Sequence, residues 1–359
     1  ITDAFPWKQT LGRLEHRPSH RGSWSYRASD GMGLLEFLQW AEDIKAEPLL
    51  GVYAGYSLQC DHIDAGPLLQ SYIDDALDEI EYIIGDVKTY WGAKRAADGH
   101  PAPFKLRYVE IGNEDWFDRS NSYDGRFNQF RTAIEAKYPQ LHCISTIPEA
   151  EFPDLKVKSG KRPEILDEHY YRNRWQMFEM ATLYDNYDRK GPKIFVGEWA
   201  TREGTPTTNL VAALGDAAWM TGMERNSDIV IMSCYAPLFV NVNTATPTTP
   251  RAWQWESNLI GYNALSSYGS PSYHVQKLFG NYLGNKIVPI SGENVPTQNR
   301  PLTRRDSTDN ITPKPIPTIF YAATRDDKTG TIYLKIVNIT ADQQPVEINL
   351  KGVTNTIFN

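Results

Sequence analysis

The sequence of 359 residues has few cysteines, no long apolar run and no excess of positive charge. Three cysteines are too few for a disulfide framework, and their spacing is not that of a zinc site. No segment reaches the roughly 18 uninterrupted apolar residues of a membrane-spanning helix. Lysine and arginine number 37 against 44 aspartates and glutamates, a net charge of −7. A nucleic-acid partner is therefore not expected, because neutralising phosphates requires a basic face.

The cysteines, the first residue and two sequons bear on thiol burial, processing and secretion. Cys143 and Cys234 lie in apolar, strand-like runs and are predicted to be buried thiols, which leaves Cys60 without an obvious partner. No signal peptide is visible, and Ile1 follows no Met, so we expect the chain to begin after processing or as a fragment. Sequons at Asn310 and Asn338 permit glycosylation and give weak support to secretion into the extracellular space.

Apolar strand-like runs alternate with amphipathic helical stretches over the first 285 residues. Repeated units of this kind predict a parallel sheet covered on both faces. Six strands are counted, and we expect a (β/α)₈ barrel whose first two strands are missing from this chain. A doubly wound sheet is the structural alternative, but no glycine-rich dinucleotide fingerprint follows a first strand. The predicted strands are 48–53, 106–111, 141–147, 165–170, 193–196 and 228–235, and the predicted helices are 33–46, 67–84, 124–138, 209–223 and 272–282.

The composition and the apolar pattern of the sequence change near residue 286. A stretch rich in Pro, Thr and Asn at 294–317 is followed by three strand-like runs at 318–324, 330–338 and 345–350. Residues 326–330 have the composition of a turn. We therefore predict a catalytic barrel over 1–285 and part of an antiparallel β-sandwich over 286–359.

Two carboxylates come directly after apolar strands, in Gly112-Asn113-Glu114 and in Gly197-Glu198-Trp199. The carboxyl ends of barrel strands meet around one mouth, where barrel enzymes place their chemistry. Two facing carboxyl groups are what glycoside hydrolysis requires, one protonated to donate and one ionised to attack or to activate water. The 10 Trp and 20 Tyr residues of the chain fill a core and also suit a sugar-binding cleft.

These two motifs resemble the acid/base and nucleophile motifs of clan A glycoside hydrolases, which end barrel strands 4 and 7. Here Glu198 lies three predicted strands after Glu114, as that pattern requires. Further segments extend the resemblance over nearly the whole chain, to the α-L-arabinofuranosidases of glycoside hydrolase family 51. These segments are 5–12, 30–37, 167–171 and 271–276.

The resemblance implies a retaining enzyme that removes arabinofuranosyl groups from arabinoxylan or arabinan. It implies that Glu198 is the nucleophile and Glu114 the acid/base, as required for a double displacement. It also implies that a group of neighbouring side chains binds the sugar or orients Glu198. The members of that group are Trp7, Asn113, His169, Tyr171 and Trp199.

The sequence departs from the family pattern at its start. Family members carry upstream strands with a Gly-Gly-Asn segment and another glutamate that bind the furanose, and neither is found here. We therefore expect an N-terminal segment or a second chain to complete the barrel. Two other readings stay open: another clan A retaining glycosidase, such as a β-xylosidase or endo-glucanase, and a non-catalytic carbohydrate-binding protein.

The remaining acidic residues are assigned structural roles. Glu110 is expected to lie deeper than Glu114 and to pair with an Arg or Lys. No group of His, Asp and Glu has convincing metal-ligand spacing, so neither a metal nor another cofactor is expected.

Overall fold

The computed structural model describes residues 5–22, 27–58, 61–205, 208–243, 255–302, 307 and 312–352. Its α-helices are α1 (Leu34–Asp43), α2 (Gln70–Ile84), α3 (Tyr90–Ala97), α4 (Tyr123–Lys137), α5 (Arg174–Met180), α6 (Leu210–Arg225) and α7 (Pro271–Asn281). Its strands are β1 (His20–Arg21), β2 (Arg27–Ala28), β3 (Leu49–Val52), β4 (Tyr108–Ile111), β5 (His142–Ser145), β6 (Ile165–Arg172), β7 (Lys193–Thr201), β8 (Val230–Tyr235), β9 (Phe239–Asn241), β10 (Ile260–Tyr262), β11 (Ser267–Gly269), β12 (Lys286–Ile287), β13 (Thr297–Gln298), β14 (Ile316–Pro317), β15 (Ile319–Arg325) and β16 (Ile332–Asn338).

Six parallel strands form the central sheet in the order β3-β4-β5-β6-β7-β8. Each strand pairs in parallel with the next one along the chain. A doubly wound sheet reverses its strand order at a switch point, whereas a barrel does not. The order observed over the described residues is therefore that of a barrel. All six predicted strands are confirmed, with bounds that differ by a few residues.

The helices pack on the sheet through apolar faces that the sequence pattern predicted. In α2, Ile73, Ile80 and Ile83 are fully buried and join the core beneath β3, β4 and β5. A second cluster of buried residues, including Trp199 and Trp219, lies between β6, β7, β8 and α6. Helices α3 and α5 were not predicted, because each is only about two turns long. The position of α5 could nevertheless have been read from its capping box, in which Asn173 and Gln176 exchange hydrogen bonds.

The C-terminal region contains an antiparallel sheet in the order β12-β15-β16. Its hairpin closes through the predicted turn, where the Gly330 N–H donates to the Asp326 carbonyl at 2.8 Å. The predicted strand at 345–350 is wrong: no strand forms there, and β12 takes the other edge of β15. Its alternating apolar side chains are 39–48% exposed, so no packing surface fixes them in a strand. The sheet packs on α5 and α6 through a small apolar cluster.

The two cysteines in the described residues differ in exposure. Cys143 is buried, as expected, whereas solvent reaches Cys234. The prediction of a buried thiol at Cys234 is therefore wrong. This side chain lies near Asp167 and Glu198 rather than in the apolar core. Cys60 lies outside the described residues. Within the described residues, no helix has the length and apolar character needed to cross a membrane.

Close packing at Gly222 in α6 gives a test of this fold. A Cβ added there would overlap the carbonyl oxygen of Ala181. Helix propensity favours alanine over glycine by about 1 kcal/mol, but overpacking of this kind costs about 1–3 kcal/mol. We expect Gly222→Ala to lower the urea midpoint of unfolding. Gly280→Ala in α7 is the control and should raise it, because nothing lies within 4 Å of the added Cβ; a higher midpoint for Gly222→Ala would contradict this packing.

Candidate active site

A left-handed turn after β4 holds Glu114 at the carboxyl end of the sheet, which is called the mouth below. Gly112 has a φ of 98° and Glu114 itself a φ of 51°, a conformation that non-glycine residues adopt only when their surroundings impose it. The buried Asp115 carboxylate imposes it by accepting the Asn113 N–H at 2.9 Å and the Thr146 hydroxyl at 3.0 Å. The Glu114 side chain is 20% exposed and points into the concavity.

The buried guanidinium of Arg126 anchors this turn from behind. It pairs with Asp115 at 2.8 Å and with Asp118 at 2.9 Å, and all three side chains are almost inaccessible to solvent. Arg126 also donates to the Ala54 carbonyl at 2.5 Å, just beyond the end of β3. One side chain from α4 therefore fixes the loops that follow two neighbouring strands.

His169 on β6 brings the two predicted catalytic glutamates together. Its Nδ1 lies 2.9 Å from Oε1 of Glu114 and 3.6 Å from Oε2 of Glu198. Its Nε2 lies 2.6 Å from Oδ2 of Asp167. One carboxylate oxygen of Glu114 and one of Glu198 are within 4.8 Å of each other. Carboxyl groups about 5–5.5 Å apart are typical of retaining glycosidases, whereas inverting enzymes hold them about 6.5–9.5 Å apart.

The protonation of His169 follows from these contacts. Burial alone would lower its pKa, but the hydrogen bonds to Asp167 and Glu114 raise the pKa to about 10. At neutral pH both ring nitrogens therefore carry a proton and donate. The resulting positive charge acts to lower the pKa of Glu198.

Glu198 is influenced by opposing effects. Burial raises its pKa above the ordinary value, while the positive charge of His169 and the Tyr171 hydrogen bond act in the other direction. The Tyr171 hydroxyl donates to Oε2 of Glu198 at 2.6 Å. Burial also raises the pKa of Tyr171, so this hydroxyl keeps its proton and remains a donor.

Aromatic and cationic side chains form one side of the mouth. Tyr171 stacks on Trp255, with ring centroids 5.1 Å apart and planes at 18°. The Arg202 guanidinium lies 4.5 Å from the centre of the Tyr171 ring and 5.0 Å from that of Trp255. Trp116 meets His169 edge-on, with centroids 5.0 Å apart. Flat rings beside paired carboxylates suit a sugar ring.

The structure does not bring Trp7 and Trp199 into this group of side chains. Trp7 is 2% exposed and packs against Tyr82 and Trp91, beside the outer helices. Trp199 is 1% exposed and packs on Tyr235 in the core. Both placements correspond to packing roles. Asn113, by contrast, is exposed next to Glu114.

Sequence reasoning missed Asp167, Trp116 and Arg202. Asp167 lies inside a buried strand and begins the 167–171 segment of the family resemblance, but no role in the site was assigned to it. Glu110 was expected to pair with an Arg or Lys, but its neighbour is Asp167. Burial and the Asp167 carboxylate together raise the pKa of Glu110 well above its ordinary value, which keeps this carboxyl neutral.

In the part of the chain that the structure describes, two sets of donor atoms are close enough to hold a cation: Glu110, Asp167 and His169, and Glu114, His169 and Glu198. Both sets share His169. A histidine ligates a metal through an unprotonated nitrogen, and here hydrogen bonds to carboxylates occupy both ring nitrogens. The donor chemistry therefore favours a hydrogen-bonded cluster over a metal centre.

A parallel barrel sheet with two facing carboxyl groups at its carboxyl end is the arrangement of the barrel glycoside hydrolases. Two family models match the chain. The α-L-arabinofuranosidase 1 domain matches residues 1–189, and the α-L-arabinofuranosidase C-terminal domain matches residues 181–357. The chain belongs to the α-L-arabinofuranosidases of glycoside hydrolase family 51.

Relatives and solved structures agree with this family. An extracellular exo-α-L-arabinofuranosidase of Streptomyces chartreusis is 37% identical over 84% of this chain and 36% of its own length. α-L-Arabinofuranosidase 2 of Arabidopsis thaliana is 40% identical over 80% of this chain and 40% of its own. An arabinose-bound family 51 α-L-arabinofuranosidase has a TM-score of 0.80 at 35% identity, covering 95% of this chain and 51% of its own. The chain thus spans between about a third and a half of these proteins.

The raised pKa of His169 predicts a pH-dependent contribution to stability. A group whose pKa is higher in the folded than in the unfolded protein stabilises fully below the unfolded value, about 6.5, and loses this contribution as pH rises through the folded value. The free energy of unfolding of the wild type minus that of His169→Gln should therefore fall between pH 6.5 and pH 10. Urea titrations across this range measure it, with exposed His142→Gln as control; a difference that rises with pH would contradict the assignment.

Proposed function

We propose that this protein is a retaining α-L-arabinofuranosidase that acts at non-reducing ends. The observation that carries the proposal is the pair of carboxylate oxygens, on Glu114 and Glu198, within 4.8 Å of each other at the mouth of the sheet. This spacing supports direct attack by a carboxylate rather than attack by an interposed water. The family of the chain supports the choice of arabinofuranose over other sugars.

Glu198 is the nucleophile in this proposal. The Tyr171 hydroxyl and the His169 imidazolium both stabilise its carboxylate form, which is the form that attacks. Glu198 attacks the anomeric carbon while protonated Glu114 donates its proton to the departing oxygen. A covalent arabinosyl-enzyme forms, and the alcohol leaves.

The second step reverses the role of Glu114. Once Glu198 is esterified it carries no charge, so the Glu114 carboxylate left after proton donation no longer faces a second negative charge. It then takes a proton from water, whose oxygen attacks the anomeric carbon and releases Glu198. Two inversions give arabinose with retained configuration.

Neighbouring side chains bind the sugar in this proposal. Asn113 is exposed beside the acid/base, and Tyr171 presents a ring next to the nucleophile. Trp255, stacked on Tyr171, extends this aromatic surface outward. The packing of Trp7 and Trp199 does not support the sugar-binding role expected for them.

We further propose that two more strands complete the barrel, supplied by an N-terminal segment or a second chain. Over the described residues, β3 and β8 each pair on one side only within the six-stranded sheet. Beside β3 lies an apolar hollow that includes Leu34, Leu49 and the half-exposed Phe37. The proposed division remains 1–285 for the barrel and 286–359 for part of a β-sandwich.

The proposed substrate is an arabinose-substituted plant polysaccharide, arabinoxylan or arabinan. The proposed location is extracellular, supported by the name of the Streptomyces relative. Glycosylation at Asn310 and Asn338 goes with this location. Asn310 lies outside the described residues. The Asn338 amide already donates to the Asp342 carbonyl at 2.8 Å, so a glycan there would have to displace this contact.

Substitution of the two glutamates tests their roles separately. Glu198→Gln should lower kcat on any arabinofuranoside by roughly 10⁴-fold or more, because no covalent intermediate forms. Glu114→Gln should lower it by about 10²–10⁴-fold. Activity of the Glu114 variant should recover partly with azide on a substrate whose leaving group needs no proton. Glu203→Gln, a nearby carboxylate paired with Arg174, is the control and should retain activity.

Covalent labelling tests substrate and mechanism together. An arabinofuranose-shaped electrophile should add once to the protein, and peptide mapping should locate it on Glu198. Aryl β-xyloside and β-glucan should be turned over far more slowly than aryl α-L-arabinofuranoside. A label on another residue would overturn the nucleophile assignment, and preference for xyloside would favour another clan A glycosidase.

A further inference from the structure

A β-bulge in β7 lies immediately before Glu198. Asp167 of β6 pairs with Phe195, but two residues later His169 pairs with Glu198. The other neighbour shows the same offset, since Val196 pairs with Ser233 of β8 and Trp199 with Tyr235. The β6 ladder therefore contains one extra residue of β7 between Phe195 and Glu198, and the β8 ladder contains one between Val196 and Trp199. Because the two intervals overlap, the bulge belongs to β7 itself.

At the bulge, a side chain accepts the Gly197 N–H. Oδ1 of Asp167 accepts this N–H at 2.8 Å. A Cβ at residue 197 would overlap the same oxygen, so glycine is required for the contact. Bulges near active sites commonly re-aim a side chain. Here the re-aimed residue is Glu198, one position further along.

The second oxygen of the same carboxylate holds the imidazole. Oδ2 of Asp167 accepts the Nε2–H of His169 at 2.6 Å, and Asp167 is fully buried. Oriented this way, the ring presents Nδ1 to both Glu114 and Glu198. Neutral Glu110 is another neighbour of Asp167. The carboxylate is thus enclosed by a backbone N–H, an imidazolium and a carboxyl group.

We propose that Asp167 is a positioning residue for the reaction, because its two oxygens fix the backbone before Glu198 and the imidazole that contacts both glutamates. Asp167 does not touch the sugar; it acts through Gly197 and His169. This inference rests on the proposed function for its kinetic consequence, but the hydrogen-bond arrangement itself does not depend on the substrate.

Two substitutions separate the two contacts. In Asp167→Asn, the amide oxygen can still accept the Gly197 N–H, but the amide nitrogen cannot accept from His169 Nε2. In Asp167→Ala, both contacts are lost. The matched control is Glu168→Gln, which changes the next buried carboxylate of β6, one that contacts Tyr170 and Tyr184 in the core.

Steady-state kinetics and nitrogen NMR of the ¹⁵N-labelled imidazole are measured on the wild-type protein and the three variants, with thermal melts to confirm folding. We expect Asp167→Asn to lower kcat on aryl α-L-arabinofuranoside by about 100-fold with KM changed less than about threefold, as misplacement of reacting groups does. Asp167→Ala should lower kcat further.

In the wild type, His169 should stay doubly protonated at pH 8, whereas in both Asp167 variants it should lose a proton at or below that pH. Glu168→Gln should keep the wild-type kcat and the doubly protonated His169.

Two results would overturn the proposal: a folded Asp167→Asn protein with wild-type kcat, or His169 still doubly protonated at pH 8 in Asp167→Ala. Equal losses of kcat in Asp167→Asn and Glu168→Gln would also overturn it, because the effect would then follow from changing either buried carboxylate of β6 and not from the two contacts of Asp167. If the wild type hydrolyses no arabinofuranoside, the proposed function has failed, and NMR alone decides whether Asp167 holds the imidazolium.

Discussion

The contact of one imidazolium with two carboxylates from different strands organises the whole mouth of the barrel. One oxygen of Glu114 and one of Glu198 lie within 4.8 Å of each other, and the positively charged His169 contacts both side chains. Such a charge is costly to bury unless it is paired and hydrogen-bonded. The buried Asp167 meets that requirement. The deeper layers of the site are therefore electrostatic support for the two groups that face solvent.

Parallel strands make this cluster possible with few side chains. Glu114 follows β4, whereas His169 and Glu198 lie in the second halves of β6 and β7, and the parallel sheet brings these parts of the strands to one edge. The loop that carries Glu114 is fixed by Arg126 and its two buried aspartates. Breaking a buried pair by removing one partner costs about 3–5 kcal/mol. Stability and site geometry thus depend on the same buried charges.

Four residues of the candidate site could be predicted to lie together because they follow a simple rule of position. Glu114 and Glu198 come directly after apolar runs, and His169 and Tyr171 share one face of a strand two residues apart. Trp199 could have been assigned to the core by the same alternation, since it follows Glu198 directly. Asp167 could not be found this way. Its role depends on a bulge in β7, and the extra residue is visible only when the registers of three strands are compared. At 345–350 an alternating apolar pattern predicted a strand that does not form, because its side chains have no surface to pack on.

The left-handed backbone at Glu114 has a consequence for how the protein tolerates change. This conformation costs a non-glycine residue of order 1 kcal/mol or more, whereas glycine adopts it freely and asparagine more readily than most. A random search for heat-resistant variants should therefore return substitutions at this position, and under the proposed function those variants would lack the acid/base. At this residue, selection for thermal stability and selection for catalytic turnover favour different amino acids.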